Sequence, residues 1–171
     1  MKILMVIAQH GFQDHEFEAP LELFKEKKIP VKIASQKRGT CFGKFGLQVN
    51  ADLSFSDVKM EDFSAIVLIG GPGSVHLVGN KELERILHEA VKQEKIIAAI
   101  CYSPVTLAKA GLLRGKKATV WNEDGNQQSV LEEAGAEYLE QAVVIDGRLI
   151  TANGPNAASR FGEEIAKMLG F

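Results

Sequence analysis

The stretch IIAAICYSPVTLAKAG, residues 96–111, runs from an apolar strand straight into a helical pattern through one cysteine, Cys101. IIAAI has no polar alternation, which is how a strand covered on both faces reads. The helical pattern begins at Tyr102 and stops at Gly111, a residue suited to a helix C-terminus. Ala99 and Ser103, both small, flank Cys101 at −2 and +2. A nucleophile elbow makes that demand, because a strained strand-to-helix turn lifts the nucleophile above the sheet and crowds its neighbours. Pro104 fits the first helical turn, where no N–H partner is needed. A thiol at a helix N-terminus is expected to ionise below about 8.5. On local sequence alone, a buried structural cysteine packing as a small hydrophobe stands equally with the elbow.

Similar runs recur outward from this point. Residues 2–8, 31–35 (VKIAS), 65–70 (AIVLIG), 117–120 (KATV) and 142–152 (AVVIDGRLITA) are strand candidates, the last split by an Asp146-Gly147 hairpin signal. Helical periodicity separates them over 14–28, 81–95, 102–110, 127–134 and 156–169. Pro20 should kink the first of these helices or mark a late start. Strands alternating with helices imply an α/β fold with a mostly parallel central sheet. Residues 36–58, with Gly39, Gly43 and Gly46, cannot be helical and read as an excursion carrying a small β ribbon. No linker, repeat or composition shift divides the 171 residues, so a single domain over 1–171 is expected.

Composition excludes several classes. Hydrophobic residues are 46% and charged residues 25%, which rules out disordered and fibrous chains. The formal charge of −2 attracts neither nucleic acid nor an acidic membrane over a broad face. The basic clusters 25–28 and 114–117 read as solvated residues. Two cysteines, Cys41 and Cys101, do not make a disulfide framework. Neither they nor the four histidines show zinc-site spacing, so no metal is expected. The six-residue apolar run near the N-terminus is too short for a secretory signal, and no stretch reaches membrane-spanning length. A cytoplasmic location is the resulting expectation.

In an open α/β sheet, sites lie at the carboxyl ends of the strands. Three ends are unusual: AQHGFQDHE after the first run, GGPG (70–73) after the third, and AICYSP after the fourth. The paired glycines let backbone approach a ligand closely. The N–H groups of Gly71 and Tyr102 are placed to face an oxyanion formed at Cys101.

Taken in order, these segments resemble the ThiJ/PfpI family of the class I glutamine amidotransferase-like superfamily, which includes PfpI-type intracellular peptidases and the parkinsonism-associated deglycase. The resemblance covers essentially the whole chain. It rests jointly on ASQKRGTCFGKFG, IVLIGGPG, IIAAICYSPVTLAKAGLLRGKKAT and VIDGRLITANGPNAASRFGEEIA. It implies a flavodoxin-like three-layer sandwich and a homo-oligomer, a dimer or larger. Cys101 then matches the reactive elbow cysteine, Glu16 the glutamate that hydrogen-bonds it, and Gly71 and Tyr102 the oxyanion donors. Three positions depart from the pattern. Tyr102 stands where PfpI-type peptidases have histidine after the cysteine, and Trp121 where deglycase-type members have theirs. Val75 falls near the glutamate that peptidase-type members lend across a subunit boundary.

These departures bear on the chemistry. Amide hydrolysis must protonate a poor amine leaving group, so peptidases pair thiolate with imidazole. Addition of a thiol to an aldehyde expels nothing, and the following proton shift needs one base, for which a carboxyl such as Glu16 suffices. The expected function is therefore a cysteine-dependent enzyme of the glyoxalase III or deglycase type. Its substrate would be a small carbonyl or a modified protein, and no cofactor is implied. A redox-sensing or chaperone-like protein with an oxidisable cysteine, and a PfpI-type peptidase, are the alternatives. His10, His15, His76 and Trp121 are candidates to line the pocket. Cys41 is expected to be structural or to lie at an interface.

Overall fold

The computed structural model describes residues 1–171. The strands are β1 (Ile3–Val6), β2 (His10–Phe12), β3 (Val31–Ser35), β4 (Gly39–Gly43), β5 (Gln48–Ala51) and β6 (Leu53–Ser54), followed by β7 (Ala65–Leu68), β8 (Ile96–Ile100), β9 (Lys117–Ala118), β10 (Glu137–Tyr138), β11 (Val143–Asp146) and β12 (Leu149–Ala152). The helices are α1 (Asp14–Glu26), α2 (Lys81–Lys92), α3 (Pro104–Lys109), α4 (Gln127–Glu133) and α5 (Ala158–Met168). Seven strands form the central sheet in the order β11-β12-β8-β7-β1-β3-β6. All neighbours are parallel except the β11–β12 hairpin.

Strands β1, β7 and β8 are apolar at every position because their two faces bury into different layers. From β1 and its extension, Ile3, Met5 and Ile7 join Phe17, Phe24, Phe161 and Ile165 of α1 and α5. Leu4, Val6 and Ala8 join Leu83, Ile86 and Leu87 of α2 with Val105 and Leu107 of α3. The result is a flavodoxin-like three-layer sandwich. Chain progression reverses between β1 and β7, the switch point where such sheets bind ligands beyond their strand ends.

The excursion at 36–58 supplies β4 and β5, which join β2 in a three-stranded sheet beside the main one, and returns β6 to the main sheet edge. Three expectations change. The 117–120 run supplies only the two residues of β9, which pair with β10 outside the central sheet. Helix α1 continues unbroken through the buried Pro20. Helix α3 starts at Pro104, since residues 101–103 are taken up by the turn that sharpens the elbow. No helix is long and apolar enough to cross a membrane.

Candidate active site

The elbow is built as its small neighbours require. Cys101 has φ +62°, a left-handed conformation that costs a residue with a Cβ about 1 kcal/mol or more. The turn is held from both sides: Cys101 N–H donates to Ala152 O at 2.9 Å, and Trp121 N–H donates to Cys101 O at 2.8 Å. Ser103, fully buried, donates its hydroxyl to Ile69 O at 2.9 Å, which ties the elbow to the end of β7.

Glu16 reaches the same point from α1. Gln13 caps that helix, its side-chain oxygen accepting Glu16 N–H at 3.2 Å. Gln13 N–H donates to Gly70 O at 3.0 Å, and Gly70 N–H donates to Glu16 Oε2 at 2.9 Å. These bonds stitch the start of α1 to the end of β7. Gly70 has to be glycine, because a Cβ there would lie 2.5 Å from Cys101 Cβ and 2.7 Å from Glu16 Oε2. Gly71, at φ +105°, lies against the 11–13 backbone, and a Cβ would collide with Gln13 N.

Glu16 is fully buried, and its Oε1 has no nitrogen or oxygen partner. Burial raises its pKa from 4.5 to about 7, against the lowering effect of hydrogen bonds with Cys101 and Gly70. Cys101 does not follow the expectation of a depressed thiol. Burial first, then the adjacent Glu16 charge, push it up, while the N–H groups of Gly71 and Tyr102 pull it down. Burial is the first cause of both shifts, and the Glu16 charge adds to the rise of the thiol. Near pH 7 the Glu16 carboxyl is half ionised while the thiol keeps its proton, and above that pH the pair holds one proton and one negative charge. When the thiol proton passes to Glu16, the Coulomb opposition to thiolate disappears and the sulfur faces the two expected N–H donors.

Cys101 opens onto a cavity of about 560 Å³. Gly71, Tyr102 and Trp121 line it as expected. His10, His15 and His76 do not line it. All three are exposed, and His10 stacks on Phe42 at 5.5 Å. Cys41 is fully buried among the apolar side chains around β1, away from this cavity. Val75 is on the cavity wall, so the position lacking the lent glutamate does face the site. No three His, Cys, Asp or Glu side chains gather in a way that would hold a metal.

Five polar cavity residues were missed at the sequence level: Gln13, Lys44, Glu123, Asp124 and Gln127. Lys44 carried a signal, its place inside RGTCFGKFG. Gln127 carried none. It is buried with Oε1 unpaired, and the Asn122 side chain fixes its position by accepting Gln127 N–H at 3.0 Å.

A flavodoxin-like sandwich with a left-handed cysteine over a buried glutamate, at the switch point of its sheet, defines an elbow-cysteine α/β protein. The chain belongs to the DJ-1/PfpI family, which it matches over residues 1–168. It is 40% identical over 169 residues to an uncharacterized protein of Methanocaldococcus jannaschii, covering 98% of this chain and 82% of that one. It is 34% identical to a deglycase of Thermococcus kodakarensis, covering 99% of each. The crystal structure of a ThiJ/PfpI domain protein from Brachyspira murdochii superposes with a TM-score of 0.93 at 29% identity, covering 98% of this chain and 95% of that one.

Proposed function

We propose that the protein destroys reactive 2-oxoaldehydes or their adducts on proteins, as a deglycase with glyoxalase III-type chemistry. The supporting observation is the buried Cys101–Glu16 pair, whose cysteine opens onto a cavity that no imidazole lines. The deglycase names of relatives matched over almost their full length agree with this reading.

The roles follow from the geometry. Glu16 takes the thiol proton, and Cys101 sulfur adds to the aldehyde carbon of methylglyoxal. The C=O pair moves to oxygen, which the Gly71 and Tyr102 N–H groups meet and which then takes up a proton. Glu16, again a carboxylate, removes the former aldehyde C–H proton and returns it to the neighbouring carbon, converting the hemithioacetal into a thioester. Water cleaves the thioester to lactate and frees the thiol. Nothing is oxidised overall: methylglyoxal and water give lactic acid.

A peptidase would need an imidazole to protonate its leaving amine, and none lines the cavity. A redox sensor would use the same thiol. Sulfur oxidation follows thiolate content, and the raised thiol pKa works against it. Lactate formation from methylglyoxal tests the reading, with the wild type expected to turn over and Cys101→Ser to be inactive. Equal rates in the two proteins would overturn it.

A further inference from the structure

Forming the enediolate from the hemithioacetal places a negative charge on the oxygen of the second carbon. That charge is three bonds from the sulfur and is separate from the first oxyanion, which the Gly71 and Tyr102 amides serve. An imidazole commonly serves such an oxygen, and here Tyr102 and Trp121 occupy the two positions at which one was expected. Of all the residues lining the Cys101 cavity, Lys44 is the single cation. It pairs with no carboxylate.

The loop that carries Lys44 is tightly built. Asp14, nine-tenths buried at the start of α1, accepts Phe45 N–H at 3.0 Å and Leu47 N–H at 2.9 Å. Lys44 N–H donates to Phe12 O at 2.7 Å, and Gly43 N–H donates to Leu47 O at 2.7 Å. A Cβ on Gly43 would press into the Asp14 carboxylate. The Lys44 ammonium lies 5.1 Å from the centre of the Phe45 ring. One helical turn therefore sets both ends of the chemistry, since Asp14 fixes the loop of Lys44 and Glu16 meets Cys101.

We propose that Lys44 is a catalytic residue of this site, the electrophile that meets the enediolate oxygen and moves its proton. This rests on the carbonyl reading above. Glu16 removes the C1 proton, the C–H pair becomes the C1=C2 bond, and the C2 carbonyl pair settles on oxygen. Lys44 gives that oxygen a proton. As Glu16 returns its proton to C2, the C1 hydroxyl proton passes to the Lys44 amine. The ammonium is restored and the thioester is left.

Lys44→Met and Lys44→Arg are compared with the wild type on methylglyoxal and on its aldehyde-deuterated form. Loss of an oxyanion partner predicts a kcat lower by about 100-fold in Lys44→Met. KM should change little and the deuterium isotope effect should rise, because C–H removal becomes rate-limiting. Lys44→Arg should keep most of the charge stabilisation and a kcat between the two. A Lys44→Met enzyme with wild-type kcat, or one with raised KM and an unchanged isotope effect, overturns the proposal. Cys101→Ser reports separately on the underlying carbonyl reading. A measurement free of turnover uses Trp121, the sole tryptophan, which lines the cavity. Lactate should change its fluorescence saturably in the wild type and in Lys44→Arg, and at least tenfold more weakly in Lys44→Met. Equal lactate affinity in all three proteins counts against Lys44 as the anion partner, whatever the turnover.

Discussion

Glu16 carries opposite consequences for stability and activity. Its folded pKa of about 7 lies above the unfolded value of 4.5, so the native state binds the extra proton between those values. The stability associated with the protonated form is complete below 4.5 and is lost as pH rises through about 7. A shift of this size corresponds to about 3 kcal/mol by pH 8. Glu16→Gln removes the charge and is expected to melt several degrees above the wild type at pH 8, with the gap closing toward pH 5. Thermal unfolding at the two pH values checks this. The same substitution abolishes lactate formation, because the amide cannot take the C–H proton. A wild-type rate that climbs through pH 7 belongs to the same ionisation. Cys101 shows where local sequence reasoning ends. Its small neighbours Ala99 and Ser103 allowed an elbow but left a structural cysteine equally open. The direction of its pKa depended on burial and on a glutamate 85 positions earlier in the chain, and the helix-terminus argument gave the wrong sign.

At the level of elements, the 39–51 ribbon depends on a residue outside it. Asp14 belongs to α1, yet two of the ribbon loop's N–H groups end on its carboxylate. Asp14→Ala leaves those donors unpaired and is expected to cost about 2 kcal/mol. Amide exchange at Phe45 and Leu47 should accelerate far more than in the central strands, and kcat should fall with the loss of Lys44 placement. The ribbon was legible as a non-helical, glycine-bearing excursion, but its anchor was not, because a sequence carries no sign that residue 14 meets residues 45 and 47. Helix α1 gives the converse case. Pro20 predicted a kink or late start, whereas the helix continues, fastened by its Gln13 cap and by packing on α5. Tertiary burial outweighed a local breaker.

On the scale of the whole molecule, two helical layers press on one sheet, and within one layer α1 and α5 meet as proline against glycine. A Cβ on Gly162 of α5 would lie 3.0 Å from Pro20 Cα and 3.2 Å from its Cβ. Gly162→Val has to push α1 from α5, with an expected cost of about 2 kcal/mol. That corresponds to a Tm lower by roughly 4–8 °C. The same displacement moves Glu16 with its helix, so activity should fall at temperatures where the variant is still folded. Thermal melts combined with lactate assays separate the two effects.

The sequence disclosed the layers and the unusual strand ends. Unbroken apolar runs read as strands buried on both faces of a helix-covered parallel sheet, and small residues on either side of Cys101 leave room for an elbow turn. It also established that Tyr102 and Trp121 stand where imidazoles were expected. The tertiary structure decided which groups share the cavity. It left His10, His15 and His76 at the surface, and it buried Cys101 and Glu16 together, which raises the pKa of both. It also brought Lys44 in from the ribbon. Burial and long-range contact are properties of the folded chain, and neither is written in the spacing of residues along it.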